Sequence, residues 1–254
     1  MENVKQRTAL LSHPALRNKW VQATGWALLV LAVYAATSPL TTPYDHYVRL
    51  ADAFFHGRGY LLDAPAFLEL ARYGEKAFVI NPPAPTLFVM PWVAIWGLNA
   101  NQAVISILVA AGAIGLFWIA ITQLGWDLRF RIGMTALLAF GTSFWWSATT
   151  GSVWLLAHVG AVFFLMAALA ETTSRNRPWL TAILVGLAGL SRLPVFLSAP
   201  FFVYMLARGQ DDWRAILKRL TLFALVLGFL GALYLLYTYA EYGTLPSDTN
   251  GGNS

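Results

Sequence analysis

With 254 residues, 58% hydrophobic and only 11% charged, the chain is too poor in charge for an ordinary soluble domain, where about a quarter of residues are charged. The absence of cysteine excludes a disulfide framework and any thiolate metal site. The formal charge of +5 matters less than where the positive residues sit, because their distribution orients a membrane chain.

The composition implies an all-α integral membrane protein with about seven transmembrane crossings. Residues 1–19 are polar and basic (Lys5, Arg7, Arg17, Lys19) and precede the apolar run Trp20–Thr37. The length of that run favours an uncleaved signal anchor with a cytoplasmic N-terminus over a cleavable signal peptide. A crossing helix needs about 20 apolar residues, and 20–37, 102–122, 132–148, 153–171 and 217–240 qualify. The stretch 84–97 is apolar over only 14 residues, about 21 Å of helix, and reads as a short half-inserted, re-entrant helix. The stretch 178–207 is interrupted by "GLSRLPVF" and reads as a helical hairpin of two short crossings. This arrangement puts 12 of the 17 Lys and Arg on the cytoplasmic side, as the positive-inside bias requires. They are the four N-terminal cations, Arg129, Arg131, Arg175, Arg177, Arg208, Arg214, Lys218 and Arg219. The bundle then spans 20–245, and the Gly-rich tail 246–254 reads as disordered.

Residues 38–83 form the first external loop. Within it, 43–57 has helical periodicity: Tyr47, Leu50, Ala51, Phe54 and Phe55 share one face, and Asp45, Arg49, Asp52 and His56 the other. Thr42 can cap this helix, with Pro43 at its first position and Gly57 and Gly59 closing it. An amphipathic helix of this kind is expected to lie in the membrane interface. Asp45 stands in its first turn, where the helix dipole favours a carboxylate and where Arg49 can pair with it. Asp52 and His56 read as solvated i,i+4 partners.

The segment "NPPAPTLFVMPW", residues 81–92, cannot be regular helix before Ala84 and gives a rigid approach to the half-inserted helix. Trp145, Trp146 and Trp154 suit an aromatic belt at the outer interface. Arg192 falls at the hairpin tip, where Pro194 interrupts helix. A cation there must pair, snorkel or face water, and a lipid phosphate is its natural anionic partner. His158 lies about 9 Å below the outer end of its helix, where a packing role through Ser or Thr competes with a chemical one.

Asp45 in an amphipathic helix after the first crossing, then "ADAFFHGRGYL", "NPPAP", "GTSFWW" and "GLSRLP" in that order, resembles the GT-C superfamily of polytopic membrane glycosyltransferases. The likeness is to bacterial members related to the protein O-mannosyltransferases and the aminoarabinose transferase of lipid A. It covers roughly residues 20–245 and rests on the order of the motifs. The resemblance implies an enzyme that takes a sugar from a polyprenyl-phosphate-linked donor at the outer membrane face with inversion. It implies Asp45 as general base; Arg192, Asn81, His46, Arg49, Asp52 and His158 are the candidate substrate-binding residues beside it. Relatives often carry a basic or His residue before the Pro pair. Asn81 departs from this pattern and leaves the phosphate contact to Arg192. Relatives also tend to be longer, so the chain is expected to be a short or truncated member. No metal ligand set is expected, although a divalent cation near Asp45, Asp52 and His46 is left open. Membrane lipids and the lipid-linked sugar are the expected partners, with no nucleic acid and with the acceptor undetermined. The competing classes are a lipid or head-group transporter, disfavoured by the lack of an inverted repeat, and a non-catalytic remnant.

Overall fold

A computed structural model describes residues 18–242, so the expectations for residues 1–17 and for the tail 246–254 lie outside the described residues. The described chain is 10 α-helices with one small hairpin: α1 Lys19–Thr37, α2 His46–Phe55, β1 Leu70–Tyr73, β2 Lys76–Val79, α3 Thr86–Trp96, α4 Gln102–Gln123, α5 Leu128–Phe140, α6 Phe144–Thr150, α7 Val153–Thr172, α8 Pro178–Gly189, α9 Ala199–Ala207 and α10 Trp213–Tyr242. Short 3-10 turns follow α3 and precede α9.

Four helices (α1, α4, α7 and α10) are long and apolar enough to cross a membrane. Their apolar surface is divided unequally. α4 lies at the centre, with Ile105, Ala110, Ile114 and Ile121 buried against α1 and α7. α10 leaves Leu225, Phe229 and Leu236 exposed. An exposed apolar face of this kind is rare on a soluble monomer and is compatible with a helix that bilayer hydrocarbon covers.

Contacts between distant residues place the shorter helices along the bundle. At one end the Arg131 guanidinium donates to the Thr122 hydroxyl at 2.8 Å, and Arg219 donates to the carbonyls of Leu206 and Asn176 at 3.2 and 2.6 Å. At the other end the Tyr34 hydroxyl donates to the Ala139 carbonyl, Ser38 to that of Thr149, and the Ala84 amide to that of Leu190. Residues 128–150 and the two arms of 178–207 therefore each run from one end of the bundle to the other.

The expected single crossing over 132–148 is two helices, because the chain breaks at Gly141–Ser143 between α5 and α6. Thr142 makes the break: its hydroxyl donates back to the Leu138 carbonyl at 2.9 Å and accepts the Phe144 amide at 3.2 Å. α5 alone has 13 residues, about 20 Å, short of the hydrocarbon thickness. The hairpin arms are likewise short: α8 has 12 residues, and the return is a 3-10 turn over Leu193–Ser198 followed by α9.

The first loop adds one small hairpin to a chain that is otherwise helical, in keeping with the all-α expectation. β1 and β2 pair antiparallel with Leu70 opposite Val79 and Tyr73 opposite Lys76, which leaves Gly74–Glu75 as the turn. Gly74 has φ 59°, a left-handed value that a two-residue hairpin turn favours at its first position and that glycine accepts without strain. Leu61 extends the pairing to Ala77.

Candidate functional site

The amphipathic helix is present but shorter than the expected 43–57. α2 starts at His46 and ends at Phe55. The Thr42 hydroxyl accepts the Tyr44 amide at 3.3 Å, which makes a turn and not a helix cap. Asp45 takes the N-cap position, yet its carboxylate caps nothing. It accepts instead from Arg49 Nε at 2.8 Å through Oδ1, both side chains being half-buried. The charged face continues with His56 Nδ1 at 3.6 Å from Asp52 Oδ2. The apolar face, expected to rest on lipid, is buried in protein. Tyr47, Leu50 and Ala51 pack inward beside α3, and only Phe55 at the far end is exposed.

Gln102, the first residue of α4, fixes the start of α2. Its side chain is buried, Oε1 accepts the Tyr47 amide at 3.1 Å, and Nε2 donates to the carbonyls of Tyr44 and Gly151 at 3.0 and 2.9 Å. One amide group thus ties three segments together next to Asp45. Nothing in the spacing of the sequence marks Gln102; the only signal is a polar residue leading an apolar run.

His46 neighbours Asp45 in sequence but points the other way. Its ring is fully buried between Tyr44 and Trp154, at 6.4 Å from each. Burial holds its pKa below the ordinary histidine value, against the smaller opposing influence of Tyr44, Asp45 and Glu69. Neither ring nitrogen makes a well-formed hydrogen bond among the described residues. A neutral, enclosed imidazole is a packing element here.

Arg192 lies in extended backbone directly after α8 and donates from a terminal guanidinium nitrogen to His158 Nε2 at 2.7 Å. As Arg has no lone pair to offer, the His158 proton sits on Nδ1. Arg192 also lies close enough to Tyr47 to act on its hydroxyl, which burial pushes up and the cation pulls down. The Tyr47 hydroxyl donates to the Pro82 carbonyl at 3.3 Å. α2, the Pro-rich segment after the half-buried Asn81, the turn carrying Arg192 and the first half of α7 are therefore one connected assembly. Asp45 and Arg192 are brought to the same end of the bundle but do not touch: among the described residues Asp45 pairs with Arg49 and Arg192 with His158. Asp45, Asp52 and His46 do not converge on a metal position, and no cluster of three His, Asp or Glu that could hold one occurs among the described residues.

A second polar feature lies at the far end of α2. Where α2 ends, a cleft of about 450 Å³ lies against the last turn of α10, lined by Phe54, Arg58, Tyr60, Lys76, Phe78 and Glu241 among others. The Lys76 ammonium sits 4.6 Å over the Tyr60 ring. The cleft is at the opposite end of α2 from Asp45, about 15 Å along the helix.

No protein-family model matches the chain, and no curated protein and no solved structure matches it significantly.

Proposed function

We propose that the chain is a membrane glycosyltransferase of GT-C type, moving a sugar from a polyprenyl-phosphate donor to an acceptor at the outer membrane face with inversion. In this reading it crosses the membrane seven times, with α5–α6 as one crossing, the arms of 178–207 as two, and α3 re-entrant. The N-terminus is cytoplasmic. The segregation of charge supports the orientation: Lys19, Arg131, Arg175, Arg177 and Arg219 gather around one end of the bundle, opposite the end carrying Asp45 and Arg192.

The observation that carries the chemical part is the grouping of Asp45, Arg49 and Arg192 at one end of a bundle whose walls are otherwise apolar. A phosphate leaving group needs a cation more than a proton, and Arg192 is a forked donor for it. A single carboxylate then suffices as base toward the acceptor. Arg49 occupies Oδ1 of Asp45, and Oδ2 takes no hydrogen bond among the described residues, so it is open to a hydroxyl or amine. His46 drops out of substrate contact, and His158 acts through Arg192.

The test is transfer from a panel of polyprenyl-phosphate-linked sugars by purified Asp45→Asn protein. The substitution keeps shape and can keep an oxygen toward Arg49. We expect turnover to fall by about 100-fold or more, with insertion and thermal stability retained. Wild-type turnover in the variant removes Asp45 as the base.

A further inference from the structure

At the end of the bundle away from Asp45, a second cleft of about 450 Å³ opens between the start of α1, the last turns of α4 and α7, and α8. Its floor and walls are Leu116, Ile119, Ala167 and Leu184. Its rim carries three cations, Lys19, Arg175 and Arg177, and one carboxylate, Glu171. That carboxylate is consumed. Arg177 grips it with Nε on Oε1 at 2.8 Å and a terminal nitrogen on Oε2 at 2.9 Å, and the Arg177 amide adds a third bond at 3.1 Å. Lys19 and Arg175 make no ion pair among the described residues. The rim therefore carries a net charge of two positive units above an apolar floor.

We propose that this cleft is a binding site for an anionic phospholipid, with the headgroup phosphate on Lys19 and Arg175 and the upper acyl chain along Leu116, Ile119 and Leu184. Three features select a lipid over a soluble anion. The floor is apolar. α1 is barely covered by protein, and its Trp20, which lines the cleft, is exposed, so bilayer lipid reaches the cleft laterally. The volume lies within the range that accepts a small ligand, here a headgroup and the first chain carbons. Basic pockets between membrane helices take anionic lipid heads in this way, and each cation near the bilayer surface adds a similar increment of affinity. The Glu171–Arg177 pair positions the site: it fixes the turn between α7 and α8 and keeps the carboxylate from repelling the phosphate. The inference is independent of the catalytic reading.

The experiment is native mass spectrometry of the purified full chain in mild detergent, titrated with phosphatidylglycerol or phosphatidylcholine. Wild-type protein should retain phosphatidylglycerol preferentially. Lys19→Gln combined with Arg175→Gln should weaken that retention by about 10- to 30-fold with little change for phosphatidylcholine. The single variants give intermediate losses and serve if the double variant unfolds. Equal retention of the two lipids by wild type, or an undiminished preference in the variants, overturns the proposal. Displacement of the lipid by millimolar inorganic phosphate overturns the lipid assignment, since it shows that the floor contributes nothing.

Discussion

Gln102 is the residue whose removal tests the architecture around Asp45 most directly. Gln102→Leu keeps the approximate volume and removes every polar atom. The Tyr47 amide and the Gly151 carbonyl are left buried without partners, and the half-buried Tyr44 carbonyl loses a donor. At about 1–3 kcal/mol for each stranded group, with Tyr44 at the low end, the loss comes to about 3–7 kcal/mol. Gln102→Glu separates the contributions: it keeps an acceptor for the Tyr47 amide but turns both donor contacts into oxygen facing oxygen. The assay is reversible unfolding in mild detergent, combined with hydrogen exchange at the Tyr47 amide. That amide should exchange at least about 100-fold faster in Gln102→Leu, because its protecting bond is gone. If catalysis depends on Asp45, turnover falls too, although Gln102 touches no substrate. Unfolding within about 0.5 kcal/mol of wild type, with unchanged exchange at Tyr47, would refute the idea that this amide holds the start of α2.

Gly151→Ala should destabilise by about 2–4 kcal/mol, because residue 151 has φ 58° and a Cβ would stand 2.6 Å from the Ala103 Cα, a backbone atom that cannot yield; thermal unfolding reads this. His46 should make stability pH-dependent. Its folded pKa lies below the unfolded value of about 6.5, so its contribution is complete above that pH and is lost as pH falls below it, when the unfolded chain takes up a proton the buried ring refuses. The slope is limited to about 1.4 kcal/mol per pH unit, and His46→Phe should remove it from unfolding curves taken between pH 7.5 and 5. Arg192→Ala should raise the apparent constant for the lipid-linked donor by about tenfold or more with little loss of fold, since among the described residues its side chain hydrogen-bonds the exposed His158 and touches no other charge; an unchanged donor dependence removes Arg192 from the site.

The long apolar segments were legible in the sequence because lipid imposes one requirement on each, a continuous run of apolar side chains that satisfies its own backbone. α1, α4, α7 and α10 follow from that alone. The amphipathic helix was legible for a related reason: a 3.6-residue period places Tyr47, Leu50 and Ala51 on one face and Asp45, Arg49 and Asp52 on the other whatever lies beneath. What lies beneath was not legible. Periodicity states that a face is buried and is silent on whether lipid or protein buries it, and here α3 and the rest of the bundle do. The break at Gly141–Ser143 leaves no mark in the sequence because the composition on each side stays apolar while a local Thr142 hydroxyl competes for backbone groups. The start of α2 is three residues later than its cap signals suggest, since Gln102, more than 50 positions away, supplies the partner for the Tyr47 amide. Asp45 and Arg192 could be nominated singly, as charges in an apolar chain. The pairing of Asp45 with Arg49 follows from their i,i+4 spacing, but the His158 partner of Arg192, the inward turn of His46, and the pairing of Glu171 with Arg177 that leaves Lys19 and Arg175 open are long-range or rotameric outcomes. Sequence alone determined which segments seek the bilayer and which residues carry charge, because those are properties of side chains. Only tertiary structure decided which charges are already spent on each other, because that depends on distances that no local pattern encodes.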